Sequence, residues 1–223
     1  MSPPASPARE RRPALTRARV LKGAMAVADA GGLASLTIRS LAQELRVKPM
    51  SVYYHVANKE EILDGIVDLV FSEIDLPTVG GDWRIEMTRR SHSARVVLRR
   101  HPWALLLLES RRSPGPATLA HHDAVLGTFR EAGWSVTGTA HAYALLDAFV
   151  FGFALQEASL PFEGPDGAAE IAEPIMQLMS RGAYPHLVEM ATSHYVQPGY
   201  DFGDEFDFGL GLILDALARG LAP

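Results

Sequence analysis

At 223 residues, 48% hydrophobic and 21% charged, the chain can build a packed core in one large or two small domains, and its lack of cysteine excludes disulfides and thiolate metal sites. The net charge of −5 argues against nucleic acid only if it is spread evenly, and it is not: residues 1–59 hold ten Lys or Arg against three Asp or Glu, a balance of +7, which leaves −12 for the remainder. No apolar run approaches the roughly 18–20 residues of a membrane span and the N-terminus lacks a signal peptide's apolar core, so the expectation is a soluble, cytoplasmic protein with no membrane partner.

Residues 1–14, MSPPASPARERRPA, are Pro- and Arg-rich with almost no apolar content and read as a disordered basic arm. Arg9, Arg11 and Arg12 would reach a minor groove or phosphates, or form a solvated tail. A first helix starts at Thr16, with Leu15 and Val20 at staple positions, carries Val20, Leu21, Ala24, Val27 and Ala28 as an apolar stripe, and stops at Gly31-Gly32.

The stretch from Leu36 to Asp64 reads as a short helix, a tight turn, a second short helix and the capped start of a third. Thr37 is placed to cap the first, between staple residues Leu36 and Leu41, and Leu41, Ala42 and Leu45 form its inward stripe. Arg46-Val47-Lys48 makes the turn, and Pro49 suits the first turn of the next helix because no N–H is needed there. Val52 and Val56 point inward, which leaves Lys48, Met50, Ser51, Tyr53, Tyr54 and His55 outward, a donor- and aromatic-rich set on an element thin enough for a major groove. Asn58 with Glu61 caps the following helix. The domains are therefore expected as a helix-turn-helix over 15–60 and a larger helical domain over 61–223, linked by a helix over about 59–75.

Pro77 and Gly80-Gly81 break that helix, and Asp82 is a cap for the next. Its inward face is Trp83, Met87, Ala94, Val97 and Leu98, with Arg84, Arg89, Arg95, Arg99 and Arg100 on a solvated side. His101-Pro102 should then start a helix from Trp103 to about Arg111, whose run Ala104–Leu108 suggests burial on nearly all sides. A further helix runs from Pro116 to Ala132-Gly133, followed by the longest apolar stretch, Thr137 to about Leu160, whose small residues admit a close neighbour. Residues 168–195 give one or two amphipathic helices broken near Gly182 and Pro185, and a last helix runs from about Asp204 to Leu221. No strand and no internal repeat is evident, so the fold class is all-α.

No Gly-rich phosphate loop, HExxH or GxSxG is present. His121-His122-Asp123 is the best enzyme-like cluster, but adjacent helical residues point about 100° apart, which suits a solvated face better than one metal. A helical enzyme or protein-binding module with an unrecognised site is the alternative reading. No catalytic residue, metal ligand or cofactor is assigned.

The sequence resembles the tetracycline-repressor (TetR) family of bacterial transcription regulators. The likeness is carried by Thr37-Ile38-Arg39-Ser40-Leu41-Ala42, Leu45-Arg46-Val47, Ser51-Val52-Tyr53-Tyr54-His55-Val56 and Asn58-Lys59-Glu60-Glu61-Ile62-Leu63. More loosely, Asp82-Trp83-Arg84, Arg100-His101-Pro102-Trp103, Gly133-Trp134, Phe151–Glu157 and Phe206–Leu210 look like the ligand domain of the tetracycline-repressor subgroup. Arg46 departs from the family's usual glycine at the turn, which calls for a non-glycine residue in a left-handed conformation.

The resemblance implies a homodimeric repressor released from a double-stranded operator by a small molecule. It places Tyr53, His55 and Lys59 at phosphates and Arg39, Met50, Ser51 and Tyr54 at base edges, with Thr37 and Lys48 alongside. Since one short helix reads too few base pairs, a two-fold dimer is the economical arrangement, and the family pairs the 137–160 and 204–221 helices across the dyad. The expected contacts are Ala144, Ala148 and Gly152 with Phe206, Leu210, Ile213, Leu214 and Leu217. Where the family holds a magnesium-chelated drug by His and Glu, this chain has Leu108 and Gln156, neither a strong magnesium ligand, so the pocket is expected to work without metal. Its lining is expected from Phe71, Ile74, Met87, Ser91, Ala94, Leu108, Arg111, Leu126, Phe149, Phe153 and Gln156, an apolar set suited to a largely hydrophobic inducer that Gln156 and Arg111 orient.

Overall fold

The computed structural model describes residues 14–108, 110–162, 167–178 and 184–220, which are helical with no strand among them. The N-terminal arginines and the expected break at Gly182 lie outside the described residues. The chain divides into two compact units, Met1–Ile66 and Val67–Pro223.

The first unit is built by local signals. Helix α1 (Arg17–Ser35) is capped by the Thr16 hydroxyl, which accepts from Arg19 N–H, and its helical backbone breaks at Gly31 and Gly32, the latter at φ +70. Helix α2 (Ile38–Leu45) opens with a capping box in which Thr37 and Ser40 exchange side-chain and backbone bonds. Helix α3 (Pro49–Val52) is a single turn, and α4 spans Lys59–Glu73. A β-carbon at Gly23 would lie 2.8 Å from Leu45, and one at Gly65 2.6 Å from Leu21, so α1 packs closely on α2 and on the first half of α4 only because both positions lack one. Val20, Leu41, Val52 and Ile66 form the dry centre beneath these helices.

The second unit comprises the end of α4, then α5 (Trp83–Arg100), a 3-10 turn at Pro102–Leu106, α6 (Pro116–Glu131), α7 (Val136–Ser159), α8 (Gly167–Leu178), α9 (Pro185–Met190) running into a π turn at Ala191–Tyr195, and α10 (Asp204–Gly220). Asp82 and Ser135 cap α5 and α7 through their side chains. Helix α7 packs against α5, α6, α10 and the 3-10 turn.

Three expectations change here. The stretch after His101 is not a helix to Arg111: bonds from Ala104 N to His101 O and Leu107 N to Ala104 O coil it into a short turn, and Leu106 is left 69% exposed. Arg95 is not solvated, because its guanidinium donates to both oxygens of Glu157 on α7 and lies over the rings of Phe153 and Phe206. Helix α7, at 24 residues and mean hydropathy 1.3 over its most apolar window, is long and apolar enough to cross a membrane, against the reading that no segment is. Its inner face, however, carries Asp147 paired to the buried Arg90 of α5, and that face packs on neighbouring helices as core.

Candidate nucleic-acid interface and ligand site

The turn between α2 and α3 is closed by Arg46 at φ 55, ψ 45, whose N–H reaches the carbonyls of Ala42 and Gln43. This sharp reversal puts Val52 and Val56 into the core and leaves Met50 69% and Tyr54 86% exposed, with Tyr53 also outward. Arg39, Lys48 and Lys59 are exposed, and Ser51 and His55 are half-buried. The structure thus brings the sequence-predicted set together on one short element and its borders. Thr37 is also exposed, but its hydroxyl and N–H are already engaged in the capping box.

The loop after this element is pinned. Glu61 accepts from Ala57 N–H at 2.7 Å and from Arg17 Nε at 3.1 Å, while its own N–H donates to Asn58. The Ala57 bond first, then Arg17, hold its carboxyl below the usual range. Arg39, Arg46, Lys48 and Lys59 have no acidic partner among the described residues, so their charge is available to phosphate. Arg46, exposed at the turn, was not among the residues singled out from the sequence as candidates; its only signal there was its place at the turn.

In the second unit, the expected lining residues Phe71, Ile74, Met87, Ser91, Ala94 and Phe153 are buried. Leu108, Arg111 and Phe149 are half-buried. Leu126 and Gln156 are corrected: both are exposed, since Val125 and the Phe153–Ala154 pair take the inward positions of their turns. None of the eleven lines the apolar cavity of about 300 Å³ near the C-terminal helices, whose walls include Leu160, Phe162, Ile171, Met176, Tyr195 and Tyr200.

The expected dimer residues also separate. Phe206, Leu210, Leu214 and Leu217 are at most 3% exposed and serve this chain's own core, and Ile213 is half-buried. The outward apolar residues of α10 are instead Phe208 and Leu212. On α7, Ala144, Ala148 and Gly152 are exposed at four-residue spacing.

Sequence reasoning missed a buried polar cluster. Arg90 of α5 donates from Nε to His121 Nε2 of α6 at 3.0 Å, and its Nη1 lies 2.7 Å from Asp147 Oδ1 of α7. The ion pair is close but not aligned as a hydrogen bond. Arg90 Nη2, Ser91 Oγ, His121 Nδ1 and both Asp147 oxygens lack hydrogen-bond partners. Burial, then Arg90 and His122, push His121 down to about 3, so its ring is neutral. With Nε2 accepting, the ring proton sits on Nδ1. Phe71 of α4 packs on His121 with ring centroids 5.3 Å apart, and Asp68 of α4 accepts from Thr118 N–H and Oγ at the start of α6.

A helix-turn-helix unit with an aromatic, cationic reading surface, joined through one helix to a larger all-helical unit with a buried polar interior, defines a DNA-binding regulator. Residues 20–66 match the model for bacterial regulatory proteins of the tetR family, and residues 76–221 that for the tetracyclin repressor-like C-terminal domain. The chain belongs to the TetR family, and is a ligand-responsive DNA-binding transcriptional repressor rather than an enzyme.

It is 33% identical over 220 residues to the HTH-type transcriptional repressor DrrR1 of Streptomyces coeruleorubidus, covering 95% of this chain and 80% of that one. It is 27% identical to the class A tetracycline repressor of transposon 1721 from Escherichia coli, covering 90% and 89%. Among solved structures it is similar to ActR of Streptomyces coelicolor in complex with actinorhodin, at TM-score 0.76 and 28% identity, covering 93% and 97%.

Proposed function

We propose that the chain represses as a cytoplasmic homodimer on a near-palindromic duplex, contacting phosphates through Tyr53, His55 and Lys59 and base edges through Arg39, Met50, Ser51 and Tyr54. Lys48 and Thr37 border the surface, and Arg46 adds a cation at the turn. The observation that carries this is the exposure of Met50, Tyr53 and Tyr54, three large side chains that a monomer would otherwise bury, beside cations with no acidic partner among the described residues. Lys59 stands in the first turn of α4, where free N–H groups favour a phosphate. Tyr54→Ala and Lys59→Ala should each weaken operator retardation, the second with a shallower slope of log affinity on log salt. Parental affinity in both would refute the assignment.

Dimerisation is assigned to the exposed faces of α7 (Ala144, Ala148, Gly152, with Leu145 and Leu155) and α10 (Phe208, Leu212). A β-carbon at Gly152 meets nothing within 4 Å in the monomer, which leaves room for a partner helix. The inducer is a largely hydrophobic molecule bound without magnesium in the interior of the second unit, among Phe71, Met87, Ser91, Ala94 and Phe153. A thermal-shift screen with and without magnesium tests this, since a shift seen only when the metal is present would contradict it.

A further inference from the structure

Resting on the reading that the inducer enters the interior between α5, α6 and α7, we propose that Arg90, Ser91, His121 and Asp147 are its polar anchor. They select a neutral, otherwise apolar molecule that carries a carbonyl and a hydroxyl side by side.

A purely structural ion pair would have its polar groups met within the core. Buried polar groups in a settled core satisfy one another, and a network left half-satisfied is costly. Here Asp147 Oδ1 is held by Arg90 Nη1 at 2.7 Å, but Arg90 Nη2, Ser91 Oγ, His121 Nδ1 and Asp147 Oδ2, drawn from three helices, have no hydrogen-bond partner although Arg90 and His121 are at most 1% exposed. The unmet groups are of two kinds. Arg90 Nη2 and His121 Nδ1 are donors, because the guanidinium has no acceptor and the His121 tautomer is fixed by its bond to Arg90 Nε. Asp147 offers Oδ2 as an acceptor, and Ser91 Oγ can serve as either.

Charge then narrows the ligand. Arg90 and Asp147 cancel and His121 is neutral, so an anion would face the Asp147 carboxylate and a cation the Arg90 guanidinium, each in a site remote from water. A carbonyl taking the two donors, with a neighbouring hydroxyl given to Asp147, meets both sets and adds no charge. The remaining surroundings are apolar: Met87 and Ala94 lie one turn before and after on α5, the tilted Phe71 ring packs on His121, and the Phe151 ring is 5.9 Å from the Arg90 guanidinium carbon. That asks for a hydrocarbon or aromatic body around the paired oxygens.

The test uses the full chain with three neutral or charged relatives: ortho-hydroxyacetylnaphthalene, acetylnaphthalene and naphthoate. Isothermal titration should show the hydroxy-carbonyl compound binding at least tenfold tighter than either of the others. Ser91→Ala should reduce that preference at least fivefold, and His121→Phe should weaken the hydroxy-carbonyl compound and acetylnaphthalene alike at least fivefold, because both present the carbonyl that His121 would hold. Circular dichroism melts establish that each variant is folded, and Ser91→Ala carries the test if His121→Phe is not. Tighter binding of naphthoate, no binding of the hydroxy-carbonyl probe, or probe binding untouched by either substitution overturns the anchor. Release of operator by some other apolar compound, indifferent to both substitutions, would overturn the anchor alone and leave the inducer reading standing. Tight binding of the probe with the expected variant effects, but without any release of operator, would support the anchor and overturn the inducer reading.

Discussion

Arg46 holds a left-handed backbone that its β-carbon resists, and glycine would relieve it. The cost of that conformation is about 1–2 kcal/mol, part of which glycine returns through greater freedom when unfolded, so Arg46→Gly should stabilise the chain by roughly 0.5–1 kcal/mol. The thermal midpoint should rise while operator binding weakens, because an exposed cation is lost; an unchanged or lower midpoint would show that Arg46 makes compensating contacts. His121 gives a second residue-scale prediction. Its folded value of about 3 lies below the ordinary 6.5, so between these pH values the unfolded chain holds a proton that the native chain does not. Stability therefore rises with pH across this window, and is lost as pH falls from 6.5 towards 3, by about 1.4 kcal/mol per unit. Glu61 and Glu86, both lowered, lose their contributions only as pH drops below 4.5. Urea midpoints taken between about pH 5 and 6.5 should follow His121, and His121→Phe should flatten that slope; an equal slope in the variant would remove His121 as its source.

At the scale of elements, what was legible in the sequence was what local chemistry decides. Thr16, Thr37, Asp82 and the Asn58–Glu61 pair cap helices where they stand because a cap needs only the next three residues. The Gly31-Gly32 break and the Arg46 turn follow from backbone freedom and its absence. What was not legible depends on partners distant in the chain. Arg90 looks like any surface arginine of α5 until Asp147 and His121 arrive beside it. Likewise, apolar residues at helical spacing on α10 do not reveal whether the face they form meets this chain or a second copy. The structure gives Phe206, Leu210, Leu214 and Leu217 to this chain's core and leaves Phe208 and Leu212 outside. The two faces should respond differently to mutation. Ala148→Arg or Leu212→Arg should shift sedimentation towards the 24.2 kDa monomer with little change in helicity, whereas Leu210→Ala should cost about 2–5 kcal/mol of folding stability. A fully dimeric Ala148→Arg chain would move the interface off α7.

Across the whole molecule, the division between the two units falls inside α4, between Ile66 and Val67, so one continuous helix belongs to both. Its first turn carries Lys59 of the reading surface, and its later turns carry Asp68 and Phe71. Asp68 accepts from Thr118 N–H at 2.8 Å and from its hydroxyl at 3.0 Å, which fastens the start of α6 to α4 in the same unit that holds the polar cluster. On the proposed reading of the inducer site, a displacement of α6 by a molecule held between α5, α6 and α7 would pass to α4 through this bond. Coupling between two sites is a free energy that a single contact can carry or lose, and its loss leaves each site's own affinity intact. Asp68→Ala should therefore bind operator and the naphthalene probe as the parent does, yet need at least tenfold more probe for half-release of the operator, a coupling loss of about 1.4 kcal/mol. Asp68→Asn keeps an oxygen for the Thr118 N–H and should stay inducible. If Asp68→Ala releases operator at the parental probe concentration, induction travels by another route than the α4–α6 fastening.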